Sequence, residues 1–418
     1  MTTPINNDSK DPVLLADALP QCLRTIFDKK GKDAELTYKY KSASSSEGEI
    51  IIDLVLFLKL VISEAKVSAE VAALVWAAVK AHFKDIVEEK NGSLIPCVGE
   101  KTWGETFAKL EKDRKKLKAK LEKPLETEAI KWITWLLVPL RDPKKKPRQS
   151  NQQPGNQQQG NQQQGNQQPG NQQQGNQNSR QPDFTEKVLE RDRYTCPVTG
   201  AINKGFKGNQ YAQGTQAPRG YLEVAHIMPH HLNNGGEALK YYERFWSGGI
   251  TAANFDTLVN DVSNGLPLDR NFHISFDKLE WSIEASATEY ILRYTCNGQP
   301  SVGRILPDTT DGKKLIFGTG DATLAKPNRD FCNLHYAICR VANQSGMADV
   351  FNAMYKDDDE DLWGDSADPV FGDPSKVGRA YRPTPLDDDE EGEELGYDRY
   401  QKKFALEVPG GKVLTARS

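Results

Sequence analysis

The 418-residue chain carries a net charge of −4, with 37% hydrophobic and 27% charged residues, the balance of a soluble protein with room for two or three domains. Its most apolar run, IIDLVLFLKLVISEAKV, includes Asp53, Lys59 and Glu64, which excludes a membrane span, and no basic-then-apolar segment opens the sequence, so the chain reads as soluble and intracellular. Six cysteines at 22, 97, 196, 296, 332 and 339 form no CxxC pair, which excludes a disulfide-stapled scaffold and argues against a paired-cysteine zinc site.

Charge is unevenly spread. Residues 1–182 hold 28 basic against 22 acidic side chains, residues 183–345 hold 17 against 18, and residues 346–418 hold 9 against 18. The front could meet a polyanion; the tail would repel one.

Residues 1–142 read as a mainly helical domain. Apolar residues recur at three and four: Val71, Leu74, Val75, Ala78 and Val79 share one face behind a cap at Ser68, and similar patterns cover Leu54 to Ile62, Phe107 to Leu121 and Ile130 to Leu137. The segment KLEKDRKKLKAKLEKP places Leu110, Leu117 and Leu121 on one side and most of the region's lysines elsewhere. That is the pattern of a solvated helix with one packed stripe, and also that of a helix laid on nucleic-acid backbone.

Residues 143–182 combine the basic cluster Lys144, Lys145, Lys146 and Arg148 with a five-residue repeat of Gln, Asn, Gly and Pro. The repeat has no apolar side chain whose burial could offset the entropy of ordering it, so it is expected to be a disordered linker between two independent units. The basic cluster fits a nuclear import signal, or only a solubilising run.

Residues 183–345 hold the candidate chemistry. FTEKVLERDRYTCPVTG starts as a helix, and in LEVAHIMPHH Leu222 and Val224 alternate with Glu223 and Ala225 as in a short strand that ends at His226 before Pro229. In VSNGLPLDRNFHISFDKLEWSIE, Asn264-Gly265 is a turn signal, Leu266 and Leu268 alternate, and Asp269 can cap a helix on which His273 and Asp277, four apart, share a face; EWSIEA then reads as a strand. A zinc-protease pairing of His226 with His230 is excluded, because Pro229 interrupts any helix and no glutamate follows His226. His230 and His231 read as loop residues, His335 as a packed helix histidine, and Tyr241, Tyr242, Phe245 and Trp246 as a packed helix face, with base stacking as the functional alternative.

Strand, turn, strand and helix carrying E-V-A-H-I-M-P, S-N-G-L-P-L and H-I-S-F-D, with Cys196-Pro197-Val198-Thr199-Gly200 ahead of them, resemble the HNH nuclease family. The resemblance covers residues 183–345. It implies an α+β architecture in which a ββα-metal (HNH) domain follows a separate mainly helical domain. It also implies hydrolysis of phosphodiester bonds with one divalent cation, Mg2+ or Mn2+, His226 as general base, Asn264 tying the turn, and His273 as a metal ligand. The commonest form of the motif has Asp or His just before the base, where this chain has Ala225. Further ligation would fall to Asp277, to Glu223, or to water and the substrate phosphate, with His226 and His273 flanking one pocket. The implied partner is nucleic acid, DNA ahead of RNA, with a protein partner of the helical domain left open and no membrane. The alternative is an inactive HNH-shaped module that binds nucleic acid or protein. Residues 346–418, dense in Asp and Glu, are expected to form an acidic, largely disordered tail.

Overall fold

In a computed structural model of the protein, the described residues are 5–9, 11–27, 36–40, 50–83, 86–96, 102–140, 182–204, 218–229, 232, 236–246, 250–296 and 309–360. Those up to Val350 belong to one compact unit, and those from Phe351 on to a second. The repeat, the basic cluster at 144–148, His230, His231, Cys97 and the tail beyond Glu360 lie outside the described residues.

The front region is built on helices α1 (Leu15–Phe27), α2 (Leu54–Glu64), α3 (Ser68–Val79), α4 (Trp103–Lys112) and α5 (Arg114–Trp132), the last continued by a π-helical turn, Ile133–Leu137. Caps set two of the starts. The Asp53 carboxylate accepts from the N–H groups of Val55 and Leu56, both at 2.9 Å, and Thr102 with Glu105 forms a reciprocal capping box on α4. Ser68 does not cap α3: it lies inside the first turn, after Val67, and the buried face is Val71, Ala72, Val75, Trp76 and Val79, with Leu74 and Ala78 at its margin.

Short strands interrupt this mainly helical region at positions where the helical sequence pattern marks none. β1 (Val13–Leu14), β4 (Val87–Lys90) and β5 (Ser93–Pro96) form a sheet in the order β1-β5-β4, and β2 (Thr37–Tyr40) pairs with β3 (Ile50–Asp53). Asn91 and Gly92, at φ 52° and 74°, supply the two positive-φ residues that a tight β4–β5 hairpin requires.

The second region begins with α6 (Pro182–Arg191) and a short parallel pair, β6 (Ile202–Asn203) with β7 (Arg219–Gly220). Strand β8 (Leu222–His226) pairs antiparallel with β9 (Gly265–Asp269), and between them run α7 (Gly236–Phe245) and α8 (Ala252–Val259). Helix α9 (Arg270–Asp277) follows β9 directly. A sheet of β10 (Trp281–Ala285), β11 (Tyr290–Tyr294) and β12 (Lys314–Leu315) then packs under α10 (Arg329–Gln344), and α11 (Met347–Glu360) extends helix past the expected start of the acidic tail.

The two regions are not independent. Tyr242 of α7 is fully buried and its hydroxyl donates to the Leu136 carbonyl at 2.8 Å, while Tyr241 meets Trp132 edge to face with ring centroids 4.8 Å apart. Lys66 pairs with Asp330 at 2.8 Å, and Arg340 with Glu64 at 3.0 Å. The aromatic helix inserted between the motif's first histidine and its asparagine is therefore spent on this junction, because Tyr241, Tyr242, Phe245 and Trp246 bury their apolar surface against protein rather than on bases. Among the described residues no helix is long and apolar enough to cross a membrane.

Candidate active site

The β8–β9 hairpin is the frame of the site, in register from Leu222 opposite Asp269 to His226 opposite Gly265. Asn264-Gly265 is not a tight turn: Asn264 ends a 3-10 turn, Val262–Asn264, and Gly265 is extended at φ −107°. Glycine is needed there for closeness, since a Cβ would lie 2.4 Å from Val188 Cγ2 and 3.0 Å from Phe184 Cζ on α6.

Asn264 is completely buried. Its Oδ1 accepts from Met228 N–H at 2.8 Å, and its Nδ2 donates to the carbonyls of Met228 and Val259, both at 2.9 Å. Its own carbonyl accepts from Ile227 N–H at 2.8 Å. Two side-chain hydrogen bonds and one backbone bond thus pin the chain immediately after His226, and the third side-chain bond ties the amide to the end of α8.

Behind the turn lies an ion pair that the sequence reasoning missed. Arg191, fully buried at the end of α6, holds Asp192 Oδ2 through Nε at 2.9 Å and Nη2 at 2.6 Å, and donates to the carbonyls of Val262 and Gly265, each at 2.9 Å. Asp192 Oδ1 accepts from Gly318 N–H at 2.7 Å. The guanidinium therefore brackets Ser263 and Asn264 from both sides. Its only sequence signal was an adjacent Arg-Asp ahead of the CPVTG step, which a surface pair would share.

His226, half-buried, stacks on Phe184 with ring centroids 4.5 Å apart and planes 7° from parallel. Glu223 meets α9 instead: its Oε2 lies 2.7 Å from His273 Nδ1, while His273 Nε2 is 3.6 Å from Asp277 Oδ1. Positions 223 and 226 differ by an odd step along a strand, so their side chains leave opposite faces. Glu223, His273 and Asp277 form one cluster, and His226 issues from the other face at the strand's last residue, so the two rings do not flank one pocket across the hairpin as the motif leads one to expect, and only the end of β8 is common to both. Ala225, buried on the α9 side, is the neighbour between them.

The cluster is acidic. Asp269 caps α9 by accepting from Asn271 N–H at 3.1 Å, and its pKa is raised, first by burial and further by the charge of Glu223, against the opposing backbone hydrogen bond. Arg270 approaches Glu223 no closer than 3.9 Å. As a metal site the donor set fits in part. With Nδ1 held by a carboxylate, the imidazole is oriented to offer Nε2, next to Asp277. Among the described residues no group of three or more His, Cys, Asp or Glu side chains has the arrangement of a metal centre. A hard cation that keeps most of its waters suits two such donors, whereas a tetrahedral zinc does not.

Residues 196–284, from the cysteine before the hairpin to the first strand of the following sheet, match the family model described as HNH endonuclease. The chain carries an HNH domain. The match spans Cys196, β8, β9, α9 and most of β10, and so includes all five candidate residues, Glu223, His226, Asn264, His273 and Asp277. No curated protein and no solved structure matches the chain. The HNH domain points to nuclease chemistry on nucleic acid, and the mainly helical region precedes it in a mixed α+β chain.

Packing behind α9 also explains His335. Buried in α10, it stacks on Phe276 of α9 at 4.1 Å, with Ser282 Oγ 2.7 Å from its Nδ1, and burial lowers its pKa to about 3. It is a neutral packing histidine that supports the helix bearing His273.

Proposed function

We propose that the chain is a divalent-metal-dependent endonuclease that hydrolyses phosphodiester bonds, with DNA as the first substrate to test and RNA the second. The observation that carries the proposal is the Asn264 clamp within the HNH-matched segment: a buried amide saturated by the backbone on both sides of the hairpin end is what holding a strand-end histidine in register demands. In this scheme the phosphodiester lies across the end of β8. His226 accepts a proton at a ring nitrogen from the attacking water, the P–O bond to the 3′ oxygen breaks with that oxygen taking a proton from a solvent water, and His226 then returns its own proton to solvent.

His273 and Asp277 would hold the cation, with Glu223 orienting His273, and Mg2+ or Mn2+ bound there would stabilise the charge that builds on the phosphoryl oxygens and the leaving oxygen. Phe184 positions the His226 ring by stacking, and Ala225 leaves the coordination shell to water and substrate on that side.

The test uses the purified full chain with plasmid, single-stranded DNA and RNA, in Mg2+, Mn2+ or chelator, beside His226→Ala. Cutting that needs metal and disappears in the variant is the expected result. Binding without cutting in every metal would overturn the proposal and leave an HNH-shaped binding module.

A further inference from the structure

The HNH domain is poor in the charge that a nuclease needs to hold its substrate: residues 183–345 carry one more acidic than basic side chain, whereas affinity for nucleic acid rests chiefly on Lys and Arg set against phosphates. The helical region supplies what is missing. Between Glu111 and Lys123 there are seven basic residues against three acidic ones. In α5 Leu117, Leu121 and Leu125 turn into the core and Lys115, Lys116 and Lys120 are exposed, and at the end of α4 Leu110 is buried and Lys112 exposed. Further along, Lys123 and Lys131 are neutralised by Glu126 and Glu128 on the helix itself, so positive charge is concentrated at the helix's front end.

That end belongs to the helix whose other end meets the HNH domain. Helix α5 runs on through its π-helical turn to Leu137, and Trp132 and Leu136 are the residues that meet Tyr241 and Tyr242 of α7. Lys116 sits sixteen residues before Trp132 with Pro124 between them, a span of about 24 Å for a straight helix. Helix α5 therefore carries Lys115, Lys116 and Lys120 on an exposed basic face at the end away from the junction, and Lys112, the last residue of α4, adjoins it across Asp113.

We propose that the face bearing Lys112, Lys115, Lys116 and Lys120 is the docking surface for the phosphate backbone of double-stranded nucleic acid, gripping the substrate that the HNH domain cuts. A membrane is the poorer occupant, because an interfacial helix offers its apolar stripe to lipid and here that stripe is buried in protein. Double-stranded substrate fits because the contact is made by point charges along a rod and asks nothing of base edges. The proposal rests on the nuclease reading for the identity of the polyanion, and its test is separable from it.

The experiment measures binding of the full chain to a fluorescent duplex of about 30 base pairs, in chelator so that nothing is cut, over roughly 50 to 300 mM salt. It compares the native chain with a variant carrying Lys112→Gln, Lys115→Gln, Lys116→Gln and Lys120→Gln. Glutamine keeps helix propensity close to that of lysine, and an unchanged circular dichroism spectrum and melting temperature confirm that the fold is intact. Each phosphate contact contributes about 0.9 to the slope of log affinity against log salt. With four lysines removed, the slope should become shallower by about 3.6, with at least about a tenfold loss of affinity at low salt. Unchanged slope and affinity would overturn the proposal, as would no duplex binding by the native chain, or a loss of binding to phosphatidylserine vesicles alone. A native chain that binds in this lysine-dependent way yet never cuts plasmid would remove the nuclease reading and leave the surface standing.

Discussion

Replacing Asn264 by aspartate changes one atom and tests the core of the site. The carboxylate can still accept from Met228 N–H, but it loses both donors that now satisfy the carbonyls of Met228 and Val259, and it places an anionic oxygen where an amide sat 2.9 Å from each. The position is completely buried, so water does not substitute readily. Each orphaned carbonyl costs about 1–3 kcal/mol, which puts Asn264→Asp at about 2–6 kcal/mol. The sign with pH follows from where the proton is bound. A carboxyl introduced at this buried position and facing carbonyls has its folded pKa raised above the unfolded value, so the folded state takes up the proton first and regains one donor. The deficit relative to the native chain is then largest near pH ~7.5 and narrows as pH falls towards about 5. Urea denaturation followed by fluorescence of the seven tryptophans measures it. Plasmid cutting should fall with it, because the backbone after His226 is what the amide holds. A variant within about 0.5 kcal/mol of the native chain at pH ~7.5, or a deficit that grows on acidification, would refute the reasoning.

Arg191→Met leaves Asp192, only 2% exposed, with Gly318 N–H as its remaining described contact, and is expected to cost about 3–5 kcal/mol. Adding Asp192→Leu should restore much of that in the same denaturation assay, and a single variant costing under about 1 kcal/mol would contradict the role given to the pair. His335, held neutral by burial with a pKa of about 3, binds its proton in the unfolded chain first, so its contribution is lost as pH falls below about 6.5. It should cost about 1.4 kcal/mol per pH unit over that window. His335→Met should flatten the dependence between about pH 7 and pH 5, seen as a smaller shift of the urea midpoint. Glu223→Ala removes the carboxylate that orients His273 and is expected to weaken Mn2+ binding roughly 10–100-fold. Calorimetric titration reads this directly, and undiminished affinity would take Glu223 out of the metal site.

Much of the site was legible because its signals are local. A strand ending at His226, Asp269 at the start of a helix, and His273 one turn from Asp277 each follow from spacing of two or four, and the pairing β8–β9 and the cap on α9 agree with them. An Asn-Gly dipeptide usually marks a tight turn, and that is the expectation the sequence sets at Asn264-Gly265. Its real use, a close approach by Val188 and Phe184, depends on a helix more than seventy residues earlier in the sequence. The strands β1 to β5 were missed where helical periodicity dominates the surrounding chain, although Asn91-Gly92 marked one hairpin.

Sequence by itself determined the α+β class, the motif residues and the lysine-rich stripe, all of which depend on neighbours within a few positions or on composition. Tertiary structure alone decided that the region before the Gln/Asn/Gly repeat packs onto the HNH domain through Tyr242 and Leu136. It also decided that Arg191 and Asp192 turn inward, and that Glu223 joins His273 while His226 stacks on Phe184. Those outcomes turn on which surfaces exclude water from one another, a quantity summed over residues far apart in the chain and written in no short stretch of it.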